Sequence, residues 1–207
     1  MKFTSTFLAL AGISAATADS YQCPGSAAWV YAWAEVDVTT TASCADAQAE
    51  VQARVAGTQD GSWTDPHNGG TYNVLSDSSY LELSRTTANG QYTDKMDLTF
   101  TDSGTGCTIS GCSESQVTSI ADFSTNYCNM RMLYCGTADG CTAVNGDLGS
   151  TETNKKTSAG ASSTASDCFP SSTAVEDHTF VESVFGGVVH AAHDEAEVAR
   201  RALRGSH

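Results

Sequence analysis

Positive charge is what this 207-residue sequence has least of: 10 Lys and Arg stand against 24 Asp and Glu, a formal net charge of −14 at pH 7. Nucleic-acid binding needs clustered Lys and Arg to displace phosphate counterions, so that class of partner is excluded. An anionic lipid surface would repel the chain for the same reason. What remains is solubility in an extracellular fluid, or a surface that attracts cations or a basic partner. Long apolar runs are also missing. No stretch after the first 18 residues is long and apolar enough to cross a bilayer. The carboxyl end reads RRALRGSH, which lacks the hydrophobic tail of a glycolipid anchor. No C-x-x-C pair suggests zinc, the tightest spacing being Cys107-x4-Cys112. Neither a G-x-S-x-G nucleophile elbow nor an H-E-x-x-H helix occurs. Asn145-Gly146-Asp147 does not match the spacing of an EF-hand loop. No metal or cofactor is expected, and no motif names an activity.

What is present points to export. Lys2 precedes the apolar run Phe7–Ile13, and Ala16-Thr17-Ala18 offers a small-residue cleavage site. Residues 1–18 therefore read as a secretory signal peptide, with Asp19 beginning the mature chain and the protein secreted. All eight cysteines follow that point: Cys23, Cys44, Cys107, Cys112, Cys128, Cys135, Cys141 and Cys168. An even count in an exported chain predicts disulfides, although sequence alone does not choose the pairing. Proximity suggests Cys23 with Cys44. Residues 19–169 form one cysteine-rich domain of ordinary size, able to bury a real core. Past Pro170 cysteine disappears and alanine, valine and charge rise, so residues 170–207 read as a helical tail. Its apolar stripe is Val181, Val184, Phe185, Val188 and Ala192, interrupted by Gly186-Gly187.

Periodicity gives the elements. Ala27–Val38 alternates strictly, with Ala28, Val30, Ala32, Ala34, Val36 and Val38 on one face and Trp29, Tyr31, Trp33, Glu35 and Asp37 on the other. The small face fits packing under a helix; the aromatic face reads as a second buried layer or as a platform for a flat ligand such as a sugar ring. Ser43–Ala56 predicts a helix, with Ser43 as cap, the stripe Ala47, Val51 and Val55, a Glu50–Arg54 pair, and Gly57 as the stop. Thr71–Ser76, Tyr80–Thr86 and Gln91–Thr101 predict strands, the last two joined by an Asn89-Gly90 turn. In the long return strand Met96, Leu98 and Phe100 face the core, and Lys95, Asp97 and Thr99 face solvent. Gln116–Ala121 and Asn129–Cys135 read as further strands, with a helix through Val117, Ile120 and Phe123 as the rival. Thr151–Thr157 predicts an edge strand blunted by Lys155 and Lys156.

The densest chemistry-bearing cluster is Asp65-Pro66-His67-Asn68 in a turn-rich loop. Asp65 holding the ring of His67 would leave the other ring nitrogen free as a base or metal ligand. The same four residues also make an ordinary turn. A triad of His67, Asp122 and Ser113 is formally available, but nothing in the spacing fixes its geometry.

The runs TDPHNGGTY, YTDKM, CSESQV, ADFSTNYCN, LYCG and DGC, in that order, resemble a secreted cysteine-rich domain of unicellular algae and related protists. The resemblance spans roughly residues 21–168 and implies export without an assigned activity; it carries over no catalytic residues.

The expected architecture is α+β: a mostly antiparallel sheet of roughly five to seven strands, one packed helix and four disulfides, with the C-terminal helical tail appended. The expected function is a secreted binding or interaction protein for an extracellular ligand, with Trp29, Tyr31, Trp33 and Asn68 as candidate contact residues. The alternatives are a small extracellular hydrolase using Asp65 and His67, and a structural component of the cell covering.

Overall fold

A computed structural model describes residues 21–120 and 122–169. The expected signal peptide and C-terminal helical tail lie outside the described residues. The element order is β1 (Trp33–Thr40), α1 (Cys44–Asp60), β2 (Thr71–Asp77), β3 (Leu81–Thr86), β4 (Thr93–Asp102), β5 (Cys107–Ser115), α2 (Thr125–Tyr134) and β6 (Thr151–Thr157). The six strands form one antiparallel sheet in the order β2-β3-β4-β5-β1-β6. The class is α+β and disulfide-stabilised, with two helices where the sequence suggested one.

Strand parity builds the core. Ala34, Val36, Val38, Leu81, Leu83, Met96, Leu98 and Ile109 point to one face and are buried beneath both helices. Gly111 lets α2 approach β5 closely: a Cβ there would stand 2.8 Å from Leu98 Cδ2 and 2.9 Å from Met130 Sδ. Helix α1 starts as expected, with the Ser43 hydroxyl accepting from the Asp46 N–H at 3.1 Å. It ends later than expected. Gly57 lies inside the helix and is buried; the left-handed stop is Gly61, at φ +80°.

The second half of the chain departs most from expectation. Asn129–Cys135 is not a strand but the greater part of α2 and its cap. Every residue from Asn126 to Tyr134 is buried. A helix buried all round shows no apolar face, so the alternation of Met130, Met132 and Tyr134 carried no information about period. Residues 116–120 form neither strand nor helix, and Val117, Ile120 and Phe123 are exposed. β5, which the sequence reading passed over, crosses the middle of the sheet.

All eight cysteines are paired: Cys23–Cys112, Cys44–Cys107, Cys128–Cys168 and Cys135–Cys141. The proximity pairing of Cys23 with Cys44 is thus replaced by two links into β5. Cys107 and Cys112 are five residues apart on a strand, so their side chains leave opposite faces. One takes α1 above the sheet and the other takes the amino-terminal segment below it.

A polar cluster and an exposed apolar edge at one end of the sheet

Parity places a polar row at the end of the covered face. Arg85 follows Leu81 and Leu83 on β3, Asp94 precedes Met96 and Leu98 on β4, and Ser115 ends β5. Register aligns them side by side: Tyr72 opposite Arg85, Arg85 opposite Asp94, Asp94 opposite Ser115. The Arg85 side chain is wholly buried. Its Nε and Nη2 donate to Asp65 Oδ2 at 2.9 and 2.5 Å, and Nη2 also reaches Asn68 Oδ1 at 2.7 Å and the His67 carbonyl. Its guanidinium lies 5.6 Å from the centre of the Tyr72 ring. Burial pushes the Asp65 carboxyl up; Arg85 and the N–H groups of His67 and Gly70 oppose that rise. The Asp65 carboxyl thus accepts four bonds, from a guanidinium and two amides.

Helix α2 extends the network. Its side-chain amides reach down to the row: Asn129 Nδ2 donates to Asp94 Oδ2 at 2.7 Å, and Asn126 Nδ2 to Ser115 Oγ at 2.9 Å. The Tyr72 hydroxyl donates to the Asn129 carbonyl at 2.9 Å. The helix start is capped by Asp122 rather than by Ser124. The Asp122 carboxylate accepts the Ser124 and Asn126 N–H groups, while the Ser124 hydroxyl donates to Asp167. Burial raises the Asp94 carboxyl, against the Asn129 and Ser115 donors.

The sequence candidates fall into place within this frame. Asp65, His67 and Asn68 are brought together, but around Arg85. Asp65 does not hold the His67 ring, which instead hydrogen-bonds the backbone of Cys168. Burial, then the nearby Arg85 charge, lowers the imidazole to about 4, so it is neutral at pH 7. Its Nε2 is buried without a hydrogen-bond partner, as are Arg85 Nη1 and Asn129 Oδ1. Ser113 spends its hydroxyl on Asn126 Oδ1 at 2.8 Å, so the His67, Asp122 and Ser113 triad does not assemble. The cluster is built to fix a loop and a helix to a sheet. The residues that the sequence reading missed, Arg85 and Asp94, were legible by extending the period-two pattern of their strands inward by one step.

The aromatic segment is only partly in the sheet. Trp33 begins β1, and Trp33 and Tyr31 are half-buried. Tyr31 hydrogen-bonds Glu114 on the opposite face from the helices. Trp29 is fully exposed, at 100 %. The second buried layer therefore does not form; among the described residues the buried aromatics are Trp63, Tyr72, Tyr127 and Tyr134. Trp29 is not alone. Val30, Tyr92, Val117, Ile120 and Phe123 are exposed at the same end. The Ser119 N–H donates to the Val30 carbonyl and the Gln116 N–H to the Thr93 carbonyl, tying the three segments together. Phe123 and Ser124 both have positive φ, +47° and +71°, which is strained backbone for a bulky residue. Disulfides anchor both flanks of this edge, Cys23–Cys112 below it and Cys128–Cys168 above.

Elsewhere, the Asn145-Gly146-Asp147 loop turns donors inward. The N–H groups of Val144, Asn145 and Gly146 surround the buried Glu50 carboxylate at 2.6–3.2 Å, and Arg54 Nε adds a fourth bond at 2.7 Å. The Asp147 carboxyl, accepting from Thr137 and Gly149, is held down at about 2. Among the described residues no helix is long and apolar enough to cross a membrane. No protein-family model matches the chain, and neither a curated protein nor a solved structure is significantly similar to it.

Proposed function

We propose that this protein is a secreted, non-catalytic binding module and that Trp29 is the centre of its contact surface. The observation that carries the reading is the complete exposure of that indole on a segment anchored by the Cys23–Cys112 disulfide. Exposing an indole forfeits about 1.5–3 kcal/mol of burial, as for other large apolar side chains. A ligand that covers it recovers that free energy. A sugar ring suits the place, because it offers an apolar face to the indole. Four disulfides support the extracellular setting, and the resemblance of the motif run to secreted algal domains agrees with it. The hydrolase reading has less behind it: the His67 ring is turned to backbone, and Asp65 is committed to Arg85.

Intrinsic fluorescence tests the proposal. Titration with soluble oligosaccharides should shift or quench the emission for at least one glycan class. The variant Trp29→Ala should weaken that binding about 30-fold, the effect of losing a central tryptophan anchor. A flat response across the panel, together with no Trp29-dependent retention on insoluble polysaccharides, overturns it.

A further inference from the structure

We propose that the apolar flank of this edge, Val30, Val117, Ile120 and Phe123, is the docking site for residues 173–195 of the same chain. The flank needs a cover. All four side chains are between 41 % and 80 % exposed, and Phe123 is held outward on a left-handed backbone that a core residue would not need.

The place where the described chain ends supplies the cover. Cys168 is joined to Cys128 in α2, and Asp167 accepts from the Ser124 hydroxyl at 3.0 Å. Ser124 is the immediate neighbour of Phe123. Thirty-eight residues follow Phe169, and the described chain ends two residues after this contact with the flank's neighbour. The apolar stripe of those residues starts at Val181, within reach of a tether of about a dozen residues, which spans at most roughly 40 Å. As a helix, Val181–Ala192 would cover about 16 Å, matching a patch of four side chains.

Charge does not forbid the contact. Between His178 and His193 the only acid is Glu182; the others cluster at Glu176-Asp177 and beyond Asp194. At physiological salt, like charges farther apart than about 8 Å are largely screened. Tethering then sets the balance. A short flexible link gives an effective concentration on the order of 1 mM, so even an intrinsic Kd of about 0.1 mM leaves the segment some nine-tenths docked. This inference does not depend on Trp29 or on a glycan.

Hydrogen exchange on the intact mature chain tests it. Amides of residues 181–192 should exchange at least ten-fold slower in the parent than in the double variant Val184→Asp, Phe185→Asp. Phe123→Asp should remove the same protection, and aspartate tolerates the positive φ, so the body should stay folded by near-UV circular dichroism. Ile120→Asp serves as a second probe of the site. Protection should be unchanged over a fifty-fold dilution. Random-coil exchange of residues 181–192 in the parent overturns the proposal. So does protection that survives Phe123→Asp and Ile120→Asp, which places the segment elsewhere. Protection that falls on dilution identifies a second copy as the occupant and also overturns it. Trp29→Ala should weaken glycan binding about 30-fold while leaving the tail protected, so the two proposals fail separately.

Discussion

Asp97 shows how a single side chain can depart from its pattern and still obey it. It alternates with Met96 and Leu98 as expected, and it does face away from the helices. That face is not open, because the amino-terminal segment held by Cys23–Cys112 lies across it, and Asp97 is 1 % exposed. Burial, then Glu82 opposite it on β3, pushes its carboxyl up to about 6; Gln22 and Lys95 only partly compensate. An aspartate whose folded pKa exceeds its unfolded value binds its proton more tightly when folded. Its ionisation therefore costs stability, increasingly from about pH 4 until pH passes the folded value near 6. Asp97→Asn should be close to neutral at pH 4 and should stabilise the protein at pH 8 by on the order of 1–2 kcal/mol. Urea unfolding across that range checks it; a variant that is less stable at pH 8 contradicts the account. Arg85 is the complementary case. Its inward parity was readable, but its partners Asp65 and Asn68 sit in a loop whose path no periodicity describes.

At the scale of elements, what the sequence could say depended on whether one face met solvent. β1 and α1 each bury one side, and their periods were readable although β1 starts at Trp33 rather than Ala27. β4 kept its alternation under a covered second face, and β6 alternates exposed with half-buried residues over the expected span. Helix α2 buries every side and so gave no period. The Glu50–Arg54 pair read correctly as i,i+4 neighbours, and both side chains are buried. What the local sequence could not reveal was the loop, 94 residues on, whose amides meet that carboxylate. Burial opposes ionisation of Glu50, and the Val144, Arg54, Asn145 and Gly146 donors outweigh it, holding its carboxyl below the usual range. Its stabilisation is thus complete above the unfolded carboxylate pKa and is lost as pH falls through the depressed folded value. Glu50→Gln should cost about 3–5 kcal/mol, since it leaves Arg54 buried without its counter-charge. It should also speed hydrogen exchange at Val144–Gly146 more than in β4. Equal effects at both places would mean that Glu50 supports the whole body rather than that loop.

For the whole molecule, the cross-links are unequal. Cys23–Cys112 closes 89 residues of sequence separation and Cys135–Cys141 closes 6. Restricting the unfolded chain is worth about 4–5 kcal/mol for a loop of the first size and about 2 kcal/mol for the second. Replacing the first pair by alanines should therefore lower the melting temperature by roughly twice as much as replacing the second; the reverse order would point to native contacts rather than chain restriction. Cysteine count and an export-like leader made disulfides legible, whereas their pairing required the sheet order. Proximity in sequence misled, because the partners of Cys23 and Cys44 both lie on β5.

That sheet order also governs assembly. β1 sits between β5 and β6, so the strand made first is enclosed by the two made last. A chain delivered amino end first presents Trp33–Thr40 long before either neighbour exists, and native contacts between such distant segments form slowly. Two thiols, at positions 23 and 44, then wait with only each other for company, since every native cross-link needs a sulfur at position 107 or later. The pairing that nearness in sequence suggested is the one open to a half-emerged chain, and the native set contains two links to β5 in its place.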